Sequence, residues 1–154
     1  MINNLINKRF FTLSIVFIFG FFLLLLGLGS TGLVDETPPL FASAGRAMSQ
    51  SGDWLTPKVN GILRFDKPPL YYWLMALIYS IPFNERWDEL GSLSARLPSA
   101  LSTLFLMMMI ADTVLCAKKN HKDNIQLSLI AALSFLLSPL IIIWSRTAVS
   151  DSLL

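Results

Sequence analysis

Charged residues are scarce in this chain of 154 residues. Only 14% of the residues are charged and 54% are hydrophobic, with a mean hydropathy of +0.60. A soluble domain usually has about 25% charged residues, and a small domain leaves much of its surface in water. The composition therefore excludes an ordinary soluble domain and a disordered chain, and it predicts a membrane protein.

Cysteine and a surplus of basic charge are also scarce. The single cysteine, Cys116, excludes a disulfide within the chain and any cysteine-based metal motif, and we expect it to be a small buried hydrophobic residue. With 12 basic and 10 acidic residues, the net charge is only +2. This balance argues against nucleic acid as a partner.

What the chain does have is long apolar runs. Three of them, 10–30, 97–117 and 124–145, predict transmembrane helices, because a bilayer core requires about 20 apolar residues. The first run is longer than the apolar region of a signal peptide, which has about 7–15 residues. A fourth run, 69–82, lies between prolines. At about 1.5 Å per residue it is too short to cross, so we expect it to lie in the interface.

The basic residues predict the orientation of these spans. They cluster in segment 1–9 and in turn 118–123, and such clusters in short loops mark the cytoplasmic side. The N-terminus is then cytoplasmic, with 31–96 as a large external loop and 146–154 as the start of a second one. The predicted fold is an all-α membrane bundle in the plasma (inner) membrane, with membrane lipids as partners.

The external loop opens with a predicted amphipathic helix over residues 38–51. Thr37 is a plausible N-cap and Gly52 a good stop. Phe41 and Met48 share the apolar face of this helix, which suits the membrane surface.

The acidic residues of the loop leave two readings open. Asp35 and Glu36 either complement the dipole of the following helix, or they supply a general base or a metal ligand at the membrane boundary. Asp66 and Lys67 either pair on the surface, or Lys67 meets a phosphate.

Three further charged residues, outside this loop, also have candidate roles. Arg146 and Asp151, after the last span, either join the site of the loop or are ordinary flanking charges. Asp112 lies near the inner end of its span, and we expect it to contact the nearby lysines.

In this order, the motifs resemble a known membrane glycosyltransferase family. The matching segments are Asp35-Glu36-Thr37, Arg46, Ser51-Gly52-Asp53-Trp54, Pro57, Gly61, Phe65-Asp66-Lys67-Pro68-Pro69, 94–101 and 145–151. They are similar to the polyprenyl-phosphate-sugar-dependent enzymes of the GT-C type, which include protein O-mannosyltransferases and lipid A aminoarabinose transferases.

The resemblance implies an enzyme whose site is on the extracytoplasmic face. It would move a sugar from a polyprenyl-phosphate carrier to a lipid, protein or glycan hydroxyl. By motif, Asp35 is the catalytic acid/base or acceptor-orienting carboxylate, Glu36 is its neighbour, and Asp151 is the second acidic residue. A general base contributes about 10²–10⁴-fold to such a transfer.

The resemblance also implies a site for the carrier phosphate. Lys67 would lie near this phosphate, with Arg64 and Arg146 as further cations. Asp66 matches an acidic position that is Glu in the aminoarabinose enzymes and can contact a divalent metal there. The shorter Asp side chain argues against such a contact here, and no other cofactor is implied.

Enzymes of this family have more spans than the three predicted here. We therefore expect this chain to be an N-terminal fragment that transfers no sugar by itself. The alternative is a non-catalytic membrane scaffold or assembly subunit that has kept the loop.

Overall fold

A computed structural model describes residues 2–34, 36–65, 67–117 and 121–149, without the side chains of 2–6, 85 and 121–123. The elements in chain order are α1 (Ile2–Leu25), α2 (Thr37–Ser51), β1 (Lys58–Val59), β2 (Ile62–Leu63), α3 (Pro69–Tyr79), α4 (Asn84–Trp87), α5 (Ser92–Cys116), α6 (His121–Leu136) and α7 (Pro139–Ser145). The predicted residues Asp35, Asp66 and Asp151 and the basic turn at 118–120 lie outside the described residues.

Two of the described helices can cross a bilayer by length and composition, α1 over Asn7–Leu25 and α5 over Ser92–Cys116. α3 has 11 residues, which at about 1.5 Å each is roughly half of a hydrocarbon core. The chain is thus an all-α membrane protein, as its composition predicts.

The predicted third span, 124–145, is not one straight helix. Its segments Asn124–Leu136 and Pro139–Ser145 are bent by 66°. Pro139 has no amide N–H to donate and disfavours a helical residue before it, and Ser138 is extended with ψ 123°. The described residues therefore contain two straight spans, or three if the bent pair counts as one.

The long helices α1 and α5 pack antiparallel, with a tie at each end. Near the start of α1, Arg9 donates two hydrogen bonds of 2.7 Å to the carboxylate of Asp112, near the end of α5. At the other end, Ser92 donates to the carbonyl of Gly29 at 3.2 Å. Small and aliphatic side chains such as Ala100 fill the space between them.

One expectation about α5 falls on side chains outside the described residues, and another needs correction. The described partner of Asp112 is Arg9, whereas Lys118, Lys119 and Lys122, its expected contacts, have no described side chains. Cys116 is exposed, so the expectation of a buried thiol is wrong. It is the last residue of α5, where few atoms surround a side chain.

α2 begins one residue earlier than predicted and ends where predicted. Glu36 rather than Thr37 occupies its cap position. At the other end, the amide of Gly52 donates to the carbonyl of Met48 at 3.0 Å. The apolar face of α2, with Phe41 and Met48, is buried against α3 and does not lie free on the membrane surface.

Candidate functional site

Helices α2 and α3 run parallel, side by side. Near their starts, the ring centroids of Phe41 and Tyr71 are 5.3 Å apart at 87°. Further along, a β-carbon at Gly45 would lie only 2.8 Å from the Cβ of Met75. The guanidinium of Arg46, one residue on, lies 5.1 Å from the ring centre of Tyr79. Both helices therefore begin at the same end of the pair.

This arrangement brings two of the predicted motifs to one place. Glu36 directly precedes α2, and Lys67 comes two residues before α3. Both side chains are exposed, and each forms at least one further contact. Because a helix carries partial positive charge at its start, the shared end of the pair suits an anion. Asp35 and Asp66 are the chain neighbours of these residues.

The third motif docks close to this pair. Ala148 is fully buried in the same apolar cluster as Phe41 and Tyr71. Two residues before it, Arg146 donates to the end of α1, at 3.2 Å to the carbonyl of Leu23 and 2.9 Å to that of Leu26. The segment that leads to Asp151 is therefore fixed against both α1 and the α2–α3 pair.

Arg96 binds the segment that leads to Asp35. Its Nη1 donates to the carbonyls of Leu28 at 2.8 Å and Thr31 at 2.9 Å and to the Thr31 hydroxyl at 3.1 Å. Its Nη2 donates to the carbonyl of Gly32 at 2.9 Å. No role was predicted for Arg96 from the sequence. The sequence feature that could have indicated a structural role is the position of this basic residue within the first turns of an apolar span.

Arg64 lies at the base of a short hairpin. Strands β1 and β2 pair antiparallel, with Lys58 opposite Leu63, and the amide of Arg64 donates to the carbonyl of Pro57 at 2.9 Å. The side chain of Arg64 is half-buried. The hairpin thus closes the loop between α2 and the Lys67 segment.

The Asp53 motif builds a turn before the hairpin. The carboxylate of Asp53 accepts from the Leu55 amide at 3.2 Å, the Thr56 amide at 3.1 Å and the Thr56 hydroxyl. Lys58 lies 3.4 Å away. The Thr56 hydroxyl, followed by the two amides and Lys58, lowers the pKa of Asp53 to about 2. Asp53 therefore stabilises the loop as a carboxylate.

Two tyrosines tie α3 to the start of α5 as neutral donors. Burial raises the pKa of the Tyr71 phenol above its ordinary value, and its hydroxyl donates to the carbonyl of Ala95 at 3.2 Å. Burial also raises the pKa of Tyr79 to about 12, and its hydroxyl donates to the carbonyl of Gly91 at 2.5 Å. Neither phenol can act as a base near neutral pH.

The structure thus brings some of the predicted site residues together. Glu36 and Lys67 share one end of the α2–α3 pair, and Arg64 belongs to the loop before Lys67. Arg146 instead directs both Nη atoms at α1. Among the described residues, no group of three His, Cys, Asp or Glu side chains could hold a metal ion. The roles given to these residues, and a metal at Asp66, stay predictions.

Known proteins similar to the chain include several enzymes of one name, undecaprenyl phosphate-alpha-4-amino-4-deoxy-L-arabinose arabinosyl transferase. The one from Wigglesworthia glossinidia brevipalpis is 32% identical over 153 residues, which cover 99% of this chain and 25% of the relative. That from Pseudomonas savastanoi pv. phaseolicola is 37% identical over 82 residues, covering 53% and 14%. That from Shewanella sediminis is 37% identical over 90 residues, covering 58% and 15%.

No protein-family model and no solved structure matches the chain. The chain spans a quarter or less of the length of the three relatives named above. The match with the Wigglesworthia enzyme includes nearly every residue of this chain and therefore all of the motifs noted in the sequence. The resemblance is thereby confirmed: the chain is a relative of the undecaprenyl phosphate–aminoarabinose arabinosyltransferases, which are membrane glycosyltransferases of the GT-C type.

Proposed function

We propose that this chain supplies the first part of the active site of a carrier-dependent glycosyltransferase. The enzyme would take an aminoarabinose-type sugar from a polyprenyl phosphate and pass it to a lipid acceptor at the extracytoplasmic face of the inner membrane. The observation that carries the proposal is the parallel α2–α3 pair, which starts its two motif-bearing helices at one end. The named relatives support this donor over a mannosyl donor, and the lipid acceptor is part of our proposal.

The proposed chemistry starts at Asp35. Its carboxylate removes the proton of the acceptor hydroxyl as the oxygen attacks the anomeric carbon of the sugar. The bond between that carbon and the phosphate oxygen breaks, and the polyprenyl phosphate leaves with both electrons. A single displacement of this kind inverts the anomeric carbon. Glu36 and Asp151 complete the acidic side of the site and orient the acceptor.

The leaving phosphate requires positive charge around it. Lys67 supplies a compact cation before α3. The starts of α2 and α3 add partial positive charge of about half a unit each. We assign Arg64 to the same phosphate as a further cation, whereas Arg146 is engaged with the end of α1. A divalent metal at Asp66 would add to this charge.

An apolar groove suits the isoprenoid tail of the carrier. It has a volume of about 1150 Å³ and lies between α3, α5 and α7. Its lining residues include Leu77, Leu101, Phe105 and Ile141. A hydrocarbon chain in this groove would gain about 0.8 kcal/mol for each buried methylene group.

A chimera tests the proposal. Residues 1–154 replace the matching quarter of the Wigglesworthia relative, and transfer of labelled aminoarabinose to lipid is measured in membranes. We expect transfer in the chimera and none from the 154-residue chain alone. Asp35→Asn should abolish transfer, and Lys67→Gln should lower it by about 10²-fold because the leaving phosphate loses a cation.

Two exposed residues of the same loop serve as matched controls. Lys58 pairs with Asp53 at 3.4 Å, and Glu89 lies before α5, so Lys58→Gln and Glu89→Gln should each leave transfer within about twofold. An inserted chimera that transfers nothing would favour a non-catalytic membrane scaffold. Full activity of Asp35→Asn would remove Asp35 from the mechanism.

A further inference from the structure

Arg96 makes an unusual set of contacts for a residue at the start of a membrane span. All of its described hydrogen bonds go to one short stretch, the residues from Leu28 to Gly32. Three of its four acceptors are backbone carbonyls, which form no part of another regular element. The side chain of Arg96 thus fixes the backbone of the segment between α1 and α2.

The contact surface around these bonds is closely packed. The hydroxyl of Ser92 reaches the carbonyl of Gly29 at 3.2 Å. A β-carbon at Gly29 would lie 2.9 Å from the Cβ of Leu93, so only glycine allows this approach. The first turns of α5 therefore bind this stretch in two ways. Ser92 and Leu93 pack against Gly29, and Arg96 donates hydrogen bonds to the stretch through both Nη atoms.

The bound stretch leads directly to the predicted base. Gly32 lies three residues before Asp35, and α2 begins at Thr37. Leu33, between them, packs on the α2–α3 cluster. The described residues on either side of Asp35 are thus held in place, those up to Gly32 by Arg96 and those from Thr37 by the packing of α2.

We propose that Arg96 is a positioning residue for Asp35, because it fixes the carbonyls of Thr31 and Gly32 and with them the start of the segment that contains Asp35. This inference rests on the proposed transfer reaction. A carboxylate displaced by about 1 Å can lose about 10²-fold in rate. All described hydrogen bonds of Arg96 go to Leu28, Thr31 and Gly32, so we expect the effect of a charge-conserving variant in kcat and not in binding of the donor.

Arg96→Lys is the most informative variant, because it keeps the positive charge but replaces the guanidinium and its two Nη donors with a single ammonium. One ammonium cannot reproduce the bonds that two Nη atoms make to Thr31 and Gly32. We expect amide hydrogen exchange in residues 26–34 of the 154-residue protein, held in lipid nanodiscs, to become about 10-fold faster. In the chimera, kcat should fall by about 10²-fold with the donor KM within about threefold.

Arg9→Gln is the matched control. It breaks the arginine tie between α1 and α5 at the opposite end of both helices. It should leave exchange in residues 26–34 and kcat within about twofold. If Arg96→Lys inserts poorly, Thr31→Val removes a single acceptor and should accelerate exchange by about two- to threefold.

The outcomes separate the inference from the proposed function. Unchanged exchange in both Arg96→Lys and Thr31→Val overturns the inference, as does an equal loss of kcat in Arg9→Gln. Faster exchange with unchanged kcat in an active chimera overturns the link to Asp35. A wild-type chimera without activity overturns the proposed function, while the exchange measurement still decides whether Arg96 holds the segment.

Discussion

Arg146 and Asp53 show how a residue within a motif can have a structural partner of its own. Arg146 was predicted to contact a phosphate, and its described hydrogen bonds go to carbonyls at the end of α1. A cation is favourable there because the end of a helix carries partial negative charge. Asp53 likewise accepts from two amides of its own turn. Both residues therefore hold the backbone of neighbouring segments in place.

The turn around Asp53 predicts a low pKa for its carboxyl group. Its pKa of about 2 in the folded loop lies below the unperturbed value of about 3.9. The stabilisation of the turn is therefore complete above about pH 4 and is lost as the pH falls towards 2. Carboxyl ¹³C NMR of the protein in micelles should show this low pKa.

Thr56→Val tests the cause of that shift. Without the Thr56 hydroxyl, which contributes most to it, the pKa of Asp53 should rise towards 3.9. Ser49→Ala removes a hydroxyl that donates within α2, to the carbonyl of Arg46 at 2.9 Å, and should change nothing. A wild-type Asp53 that titrates near pH 4 would contradict the proposed role of the turn.

The elements differ in how far the sequence predicts them. Pro38 and Gly52 fix the bounds of α2 within one residue, because both act through local backbone geometry. The run 124–145 was predicted as one span, yet Pro139, which has no backbone donor, bends it by 66°. The contacts of Arg96 escaped prediction, since every residue has a carbonyl and no sequence pattern marks which ones an arginine will meet.

The partner of α2 could not be predicted either. An apolar helix face fits a membrane surface or another helix equally well, and only the folded chain shows that it meets α3. The small residue at that contact, Gly45, was available as a signal. A β-carbon there would lie 2.8 Å from the Cβ of Met75 and 3.5 Å from the carbonyl oxygen of Tyr72.

Gly45→Ala tests the close contact between α2 and α3. In an open helix this change would stabilise by about 0.5–1 kcal/mol. Here it should force α2 and α3 apart and cost about 1–3 kcal/mol, which lowers the apparent Tm in detergent by several degrees. Ser43→Ala, on the exposed face of α2, should not lower the Tm. A stabilised Gly45→Ala protein would show that the helices are not in contact at this residue.

In the whole molecule, two arginines act at opposite ends of the packed helices α1 and α5. Arg9 joins α1 to α5 at one end of the helix pair, and at the other end Arg96, in α5, binds the residues that follow α1. The α2–α3 pair, which follows the proposed motifs in the chain, is tied to α5 at this same end, through Tyr71 to Ala95 and through Tyr79 to Gly91. The orientation of α1 and α5 in the membrane therefore decides which compartment the site faces.

That orientation is open to direct measurement. The clusters of basic residues at 1–9 and 118–123 predict a cytoplasmic N-terminus and an extracytoplasmic loop from 31 to 96. In a Cys116→Ser background, a membrane-impermeant thiol reagent should label Leu55→Cys in intact cells, since Leu55 is 81% exposed. It should label Asn120→Cys only after the cells are opened. Labelling of Asn120→Cys from outside, with Leu55→Cys protected, would invert the topology and place the proposed site in the cytoplasm, where the extracytoplasmic transfer proposed for this chain could not take place.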